Sequence, residues 1–343
     1  MTKNFINVCL IGAGRAGIIH AKNFKSMVPN ARLTAVVDPV EVVAKSACKE
    51  LEIDTYYLDY REALLDDRID AVVIVTPTVY HKDIAISAAN AKKHILCEKP
   101  MAMDENECDA MLEAAKNNKV ILQIGFMRRF DRSFVQAKEA IKRGDIGDVV
   151  MVRSNTRGPS VPRPWMYDID KSNGPLAEVN SHDIDTLRWF TESEFKTLYA
   201  IGGNFRSADA KKEFPYFYDN VVLNAVFQNG CQGQIDGAQG VVYGYDARAE
   251  ILGTNGVIYL GRTNESSIAI CNKHSGIATP YISSWTDLFK DAYLEEDIHF
   301  IDCIINEKQP KVTGIDGKKA VQVVKAGNQS IKENKIIELG VSV

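Results

Sequence analysis

Residues 5–11 (FINVCLI) run directly into Gly12-Ala13-Gly14-Arg15-Ala16-Gly17, after which apolar residues recur at helical spacing. An apolar strand, a glycine-rich turn and a helix start, in that order, are typical of a dinucleotide-binding unit. Gly12 permits the tight turn, Gly14 lets the backbone approach a pyrophosphate, and Gly17 lets the helix pack close to the strand. The N–H groups at the helix start, around Arg15 and Ala16, then face the anion. The turn therefore predicts a bound dinucleotide.

An acidic residue supports this prediction. Asp38 ends a second apolar run, residues 33–37 (LTAVV), about twenty residues after the turn, where an acid binds the ribose hydroxyls of NAD. A carboxylate there repels a 2′-phosphate, and Pro39-Val40 supplies no arginine to receive one. The sequence therefore predicts NAD rather than NADP. The alternative is an ordinary α/β turn with an incidental aspartate.

Length and composition narrow the class of protein. A chain of 343 residues predicts about two domains. The formal net charge of −4, without a dense basic block, argues against nucleic acid and anionic membranes as partners. The seven cysteines are scattered, several of them in apolar runs, as is typical of reduced thiols in a cytoplasm. Because MTKNF leads into the first predicted strand without a signal peptide, and no apolar run could span a bilayer, we expect a cytoplasmic protein.

The first part of the chain alternates between predicted strands and helices. Residues 70–76 (DAVVIVT) form an unbroken apolar run, as in a central parallel strand that is covered on both faces. Thr76-Pro77 ends this strand at the carboxyl edge of the sheet, where ligands bind in open α/β folds. Alternation continues through residues 94–97 and 120–125. Residues 1–125 are therefore predicted to form an NAD-binding Rossmann domain, a doubly wound parallel sheet of the α/β class.

The character of the sequence changes after residue 125. Later runs alternate polar and apolar residues at hairpin spacing, and Asn229-Gly230 between two of them is a strong hairpin signal. Helices are expected at 284–306 and 316–332. We predict an α+β domain over residues 126–343, with a mostly antiparallel open sheet that has one face open or used for association.

Glu98-Lys99-Pro100 follows the predicted strand 94–97 and so lies at the cofactor edge of the sheet. A lysine pinned there by a proline can polarise a substrate oxygen and stabilise alkoxide charge as a hydride leaves carbon. The alternative is a surface lysine at a strand end. The position beside a nicotinamide pocket favours the catalytic role.

A second candidate cluster lies in residues 174–185 (GPLAEVNSHDID). If this stretch opens a helix, Glu178 and His182 are four residues apart and share one face. A histidine oriented by a carboxylate is a suitable base for an alcohol proton near neutral pH. The alternatives are a buried core histidine and a metal site from His182, Asp183 and Asp185. Because no second histidine lies nearby in sequence, we predict no metal.

Seven segments of the sequence, which occur in the same order as in the family, resemble the Gfo/Idh/MocA oxidoreductases over nearly the whole chain. They are GAGRAGIIH at 12–20, TPTVYH at 76–81, CEKP at 97–100, GFMRRFD at 125–131, GPLAEVNSHDIDTLRW at 174–189, YGYDARAEILGTNG at 243–256 and AYLEEDIHFIDCI at 292–304. The last two segments look most like the inositol dehydrogenase branch of that family.

The resemblance implies roles for particular residues. Lys99 would be the catalytic lysine of the EKP motif, and His182 would be the acid–base group. Residues expected on the nicotinamide side are Thr76, Pro77, His81 and Glu98, and residues expected near a polyol are Arg129, Arg157 and either Tyr243 or Tyr245. Relatives commonly pair through the antiparallel sheet, so a homodimer or homotetramer is expected.

Two positions depart from the family pattern. Glu178 stands where the inositol branch usually has aspartate, and Pro175 stands where many relatives carry glycine. The longer Glu178 side chain could still orient His182, or could place its carboxylate on a substrate hydroxyl. The chemistry is therefore better defined by the sequence than the substrate is.

The sequence thus predicts NAD-dependent oxidation of a secondary alcohol of a cyclic polyol, myo-inositol or a related inositol, to the ketone. Lys99, His182 and Glu178 are the predicted catalytic residues. The polar side chains expected to bind the polyol are Arg129, Asn155, Arg157, Asn180, Asp183 and Tyr245. One alternative is an aldose or anhydrosugar dehydrogenase or reductase on the same scaffold. Another is a non-catalytic regulator that senses NAD or sugar.

Overall fold

The computed structural model describes residues 5–274 and 276–340, and these residues form two compact units. The first unit comprises residues 5–130 and 291–321, and the second comprises residues 131–290 and 322–340. Residues 1–4, on which the expectation about a signal peptide partly depends, lie outside the described residues. Within the described ranges, no helix combines the length and apolar character needed to cross a membrane.

The first unit begins with alternating strands and helices. They are β1 (Ile6–Ile11), α1 (Arg15–Ser26), β2 (Ala31–Val37), α2 (Glu41–Leu51), β3 (Tyr56–Tyr57), α3 (Tyr60–Leu64), β4 (Ala71–Ile74), α4 (His81–Asn90), β5 (His94–Glu98), α5 (Glu105–Asn118) and β6 (Leu122–Gly125). The strands form a parallel sheet in the order β3-β2-β1-β4-β5-β6. The predicted doubly wound parallel sheet is confirmed.

Burial explains the apolar runs of this sheet. Every residue of β4 is fully buried, as expected for a central strand covered on both faces. Strand order reverses between β1 and β4, so the carboxyl ends of these two strands form the crevice in which ligands of doubly wound sheets bind. The glycine-rich turn follows β1 and Thr76 follows β4, at that crevice.

The second unit is built around a larger sheet. Its elements are α6 (Arg132–Arg143), β7 (Val149–Gly158), α7 (Ile169–Ser172), α8 (Gly174–Glu178), α9 (Ser181–Thr191), β8 (Phe195–Gly203), β9 (Asn220–Phe227), β10 (Gln232–Gln239), β11 (Asp246–Gly253), β12 (Val257–Leu260), β13 (Ile270–Asn272), β14 (Gly276–Ala278) and α10 (Trp285–Leu288). The chain ends with α11 (Lys290–Ile305), α12 (Gly314–Glu333) and β15 (Ile337–Glu338).

The sheet of the second unit has the order β12-β11-β7-β10-β9-β8-β15. All neighbours are antiparallel except β7 and β10, which run parallel. The predicted mostly antiparallel sheet is therefore confirmed, as is the β9–β10 hairpin. At its turn Gly230 has φ +89°, a left-handed conformation that glycine adopts without strain.

Burial alternates along the strands of this sheet. In β9, Val221 and Leu223 are buried, whereas Val222 and Asn224 are exposed. Helix α9 packs on β7 and covers the buried face. The sheet thus has an inner face under helices and an outer face that carries exposed side chains, which we call the open face.

Helix α11 follows the second unit in sequence, but from Asp291 onward it belongs to the first unit. Phe300 and Ile301 of this helix are buried in the core of the first unit together with Leu10 and Phe24. The structural division therefore differs from the single boundary expected after residue 125. An amphipathic helix covers whichever complementary apolar surface it meets, and nothing in its local sequence states which one.

Candidate active site

The glycine-rich turn has the geometry that its sequence predicts. Gly12 has φ +102°, and a Cβ atom there would lie 2.5 Å from the carbonyl oxygen of Val75. A Cβ atom on Gly17 would lie 2.1 Å from the carbonyl oxygen of Gly12, which is far inside any normal contact. At Gly14, by contrast, a Cβ atom would meet nothing within 4 Å. The backbone at Gly14 therefore faces open space, where a ligand can approach it.

The start of α1 and the end of β2 complete this part of the site. Gly14 is the N-cap of α1 and offers no side-chain bond, and the first turn of the helix carries no acidic residue. The half-buried Asp38 carboxylate accepts the Ala13 N–H at 3.1 Å and the Val40 N–H at 2.9 Å. Open backbone, an uncapped helix start and an anchored acid together fit a dinucleotide with unmodified ribose hydroxyls.

The residues that follow β4 also lie at the carboxyl edge of the parallel sheet. The Thr76 hydroxyl oxygen is buried and has no hydrogen-bond partner in the described part of the chain. The buried His81 ring contacts the carbonyl oxygens of Pro100 at 2.9 Å and Thr76 at 2.8 Å. Burial lowers the pKa of His81, although both ring nitrogens face carbonyl oxygens, which favour the protonated ring. The predicted residues Thr76, Pro77 and His81 therefore lie together at the carboxyl end of β4.

Lys99 directly follows β5 and is half-buried. Its backbone N–H donates to one carboxylate oxygen of the buried Glu98 at 3.0 Å, and the Lys99–Pro100 peptide bond is cis. The other oxygen of Glu98 lies 3.2 Å from Nε2 of His20, a fully buried residue on α1. The sequence interpretation assigns no role to His20. His20 lies three residues after Gly17, however, and this helical spacing places both residues on the face of α1 that packs against the sheet.

In the second unit, residues 174–185 do not form the single helix that would place Glu178 and His182 on one face. The chain forms two helices, α8 and α9, which are interrupted at Val179 and Asn180. The N–H groups of both residues donate to the Pro175 carbonyl oxygen, and the backbone of Asn180 has ψ near 0°. Glu178 ends one helix and His182 lies in the first turn of the next. Their proximity therefore cannot be inferred from helical spacing.

A buried hydrogen-bond network holds the start of α9. Asp183 is fully buried and accepts a bond from the Ser154 hydroxyl at 2.5 Å and one from the Asn180 amide at 2.8 Å. Gly237 makes room for Asn180, because a Cβ atom there would lie 2.1 Å from the Asn180 side-chain oxygen. Asp183 and Asn180, both predicted to bind substrate, thus fix the helix start that carries His182.

Strand alternation separates two other predicted substrate residues from His182. Ser154 of β7 faces α9, so Asn155 and Arg157 point to the open face. There Arg157 forms a bidentate ion pair with Asp236, which raises the pKa of Arg157. A cavity of about 600 Å³ on this face is lined by charged and polar side chains, among them Arg153, Arg157, Asp236, Arg248 and Glu250.

The remaining predicted polyol residues lie in different surroundings. Arg129 follows β6 in the first unit, where it is mostly buried and pairs with Asp316 at 2.9 Å. Tyr245 is buried with its ring against Phe289. Tyr243 is more exposed, and its hydroxyl lies 3.4 Å from Asp246.

The fold and the turn geometry define a dinucleotide-binding protein of the Rossmann class. Residues 6–126 match the family described as "Oxidoreductase family, NAD-binding Rossmann fold", and residues 134–259 match the "GFO/IDH/MocA C-terminal domain". The chain belongs to the GFO/IDH/MocA oxidoreductase family, as its sequence motifs predict, and its cofactor is NAD.

Relatives cover almost the whole chain. Myo-inositol 2-dehydrogenase of Thermotoga maritima is 33% identical over 97% of this chain and 98% of its own length. Scyllo-inositol 2-dehydrogenase (NAD(+)) of Bacillus subtilis is 34% identical over 98% of this chain and 97% of its own length. The crystal structure of scyllo-inositol dehydrogenase from Lactobacillus casei, with bound cofactor NAD(H) and scyllo-inositol, superposes with a TM-score of 0.89 at 28% identity, covering 97% of this chain and 99% of that one.

Proposed function

We propose that this chain oxidises a secondary alcohol of an inositol to the ketone with NAD as the oxidant. The observation that carries the proposal is near-full-length similarity to enzymes named as inositol dehydrogenases, combined with Lys99 at the carboxyl end of β5. The structure from Lactobacillus casei that contains NAD(H) and scyllo-inositol supports the same pair of ligands.

The first unit supplies the groups that hold the cofactor. The backbone at Gly14 and the start of α1 bind the pyrophosphate, and Asp38 binds the ribose hydroxyls. Thr76, Pro77, His81 and Glu98 line the nicotinamide side, where the buried Thr76 hydroxyl offers a hydrogen bond. NAD supplies the hydride acceptor.

Two side chains act on the hydroxyl group of the substrate. The Lys99 ammonium donates a hydrogen bond to the hydroxyl oxygen and stabilises the negative charge that develops as the hydride leaves the carbon. His182 accepts the hydroxyl proton, and Glu178 orients its ring or bonds a neighbouring hydroxyl. The Asn180–Asp183–Ser154 network holds the helix start from which His182 projects.

We propose a different distribution of the predicted polyol residues. We assign Tyr245, Asn180 and Asp183 to the substrate side, the last two through their support of α9. Asn155 and Arg157 belong instead to the open face. Arg129 keeps its ion pair with Asp316 and so shapes the loop after β6.

We also propose that the open face joins copies of this chain into a homodimer or homotetramer. Apolar side chains such as Ile201, Val226 and Tyr259 are exposed on the strands of this sheet, beside the charged cavity around Arg157. A mixed apolar and charged sheet face is typical of an association surface. A cytoplasmic location is proposed because all seven cysteines are free and six of them are buried.

A substrate panel tests the proposed reaction. NADH formation is followed by absorbance with NAD or NADP and with myo-, scyllo- and D-chiro-inositol, glucose, xylose and an anhydrosugar. We expect an NAD-linked signal with at least one inositol. A signal with sugars alone would replace the inositol assignment, and NAD binding without turnover on any substrate would support a regulator.

A further inference from the structure

His20, Asn23, Glu98 and Asp297 form a chain of contacts inside the first unit, which we call the buried charge network. Nδ1 of His20 lies 2.7 Å from Asp297, and its Nε2 lies 3.2 Å from Glu98. Asn23 donates its amide to the second oxygen of Asp297 at 2.8 Å. His20 and Asp297 are completely buried, and Glu98 nearly so. The network therefore joins α1, β5 and α11 without solvent.

The partners of His20 define its protonation state. An ionised carboxylate only accepts hydrogen bonds, and each ring nitrogen of His20 faces one carboxylate. When both carboxylates are ionised, both nitrogens carry a proton to satisfy both contacts. Burial opposes the charge on His20, but Asp297 first and then Glu98 outweigh it and raise the pKa of His20 well above its ordinary value.

Protonation of His20 accounts for both of its short contacts without a metal ion. Glu296 also faces this region from α11, and ligand atoms of His20, Glu98 and Glu296 all lie within 4.8 Å of one another, a spacing that could hold a cation. Both ring nitrogens of His20, however, already lie at hydrogen-bond distance from carboxylates. The ring of Tyr293 packs edge-on against His20, and the Gln123 amide donates to the Glu296 carbonyl oxygen.

Glu98 connects His20 to the backbone of Lys99. One oxygen of Glu98 contacts His20, and the other accepts the Lys99 backbone N–H at 3.0 Å. Gly125 of the neighbouring strand leaves the space that the carboxylate fills, since a Cβ atom there would lie 2.9 Å from Glu98 Cδ. Both oxygens of Glu98 are thus used and its position is enclosed.

We propose that His20 is a positioning residue for Lys99: as an imidazolium it clamps Glu98, and Glu98 fixes the backbone from which the Lys99 ammonium projects. This inference rests on the catalytic role proposed for Lys99. Without His20, Glu98 is a buried carboxylate that lacks its counter-ion and has to reorient. Lys99 then loses the geometry on which alkoxide stabilisation depends.

The first test is His20→Gln, which removes the charge and one of the two donors. We expect kcat for the inositol substrate to fall about 10- to 100-fold, because small misplacement of a catalytic group is costly, while NAD affinity is retained. Adding Glu98→Gln should restore part of kcat, since the new amide oxygen still accepts the Lys99 N–H and residue 98 no longer needs a counter-ion. Asp297→Asn should act like His20→Gln and serves if that variant does not fold.

His299→Gln is the matched control. His299 lies on the same helix as Asp297 and accepts the Lys311 N–H, without touching the buried charge network. Its replacement should leave kcat unchanged. A normal kcat in both His20→Gln and Asp297→Asn, with lower thermal stability only, would overturn the positioning role.

Protonation is tested independently of turnover. In protein labelled with ¹⁵N-histidine, the His20 signal, identified by its loss in His20→Gln, should show both ring nitrogens protonated above neutral pH. A neutral ring would overturn the clamp. Lys99→Met separates the two proposals: if it retains full kcat, the role proposed for Lys99 fails. If Lys99→Met is inactive while His20→Gln and Asp297→Asn are both fully active, only the positioning inference fails.

Discussion

Two alanine substitutions in the same turn should separate folding from cofactor binding. In Gly17→Ala the new Cβ atom would lie 2.1 Å from the Gly12 carbonyl oxygen. That oxygen cannot easily retreat, because the Gly12 N–H is bonded to Val37 at 2.8 Å and the residue packs against Val75. Overpacking of this kind costs about 3 kcal/mol. The expected fall in Tm is about 6–12 °C for a unit of this size.

Gly14→Ala should behave in the opposite way. Its Cβ atom would meet nothing within 4 Å, and φ −72° with ψ −177° suits alanine. Folding should lose less than about 1 kcal/mol, the usual cost of alanine at an N-cap. The methyl group, however, would stand on the surface that the pyrophosphate approaches. We expect the Kd for NAD to rise at least about tenfold, or about 1.4 kcal/mol.

Thermal unfolding without NAD and calorimetric titration with NAD measure the two effects separately, and each variant is the control for the other. Gly17→Ala with wild-type Tm would show that the turn relaxes cheaply. Gly14→Ala with wild-type NAD affinity would show that the pyrophosphate does not use this backbone surface. Either result would refute the reasoning for that glycine.

Three further predictions concern single acidic or basic groups. Asp38→Ser removes the charge that repels a 2′-phosphate, so the ratio of kcat/KM for NAD to that for NADP should fall by about tenfold or more; an unchanged ratio would place selectivity elsewhere. His182→Ala should lower kcat by about 100-fold or more with unchanged NAD affinity, as loss of a general base does, and near-normal turnover would remove His182 from the mechanism. Burial opposes ionisation of Asp246, but its bonds to Arg248 and Asn155 outweigh burial and lower its pKa. The ionised Asp246 carboxylate therefore stabilises the folded state at pH values above the pKa that Asp246 has in the unfolded state, and this stability is lost as the pH falls through its pKa in the folded state. The difference in Tm between wild type and Asp246→Asn should therefore become smaller in acid. A difference that does not depend on pH would contradict this prediction.

Local patterns predicted the fold well where local physics decides it. The glycine-rich turn, the apolar run of β4 and the hairpin at Asn229-Gly230 each form as their sequences indicate. At the two turns the deciding constraint lies within a few residues, a left-handed glycine or a tight turn, and in β4 the unbroken apolar run itself indicates burial on both faces. The same local origin explains why Asp38 could be recognised beside the turn.

The features that the sequence patterns did not predict depend on contacts between residues that are distant in sequence. The break between α8 and α9 depends on Asn180 bonding to Asp183 in the space left by Gly237 of β10, which no helical period encodes. Alternation along β7 was visible, but not that Ser154 would face α9 and Arg157 the open face. His20 contacts Asp297 only because α11 lies in the first unit. Each outcome required a partner from another element.

The position of β7 has a consequence for how the chain is made. Residues 149–158 are paired on one edge by 232–239 and on the other by 246–253, so both partners of this strand are synthesised long after it. Until then both edges of β7 are unpaired in the nascent polypeptide. The β9–β10 and β11–β12 hairpins, by contrast, can form as soon as their residues emerge from the ribosome. Premature termination before residue 246 would leave β7 without its antiparallel neighbour, open to pairing with other chains. Completion of this sheet is thus tied to nearly complete translation, and truncated products should be targets for chaperones and proteases.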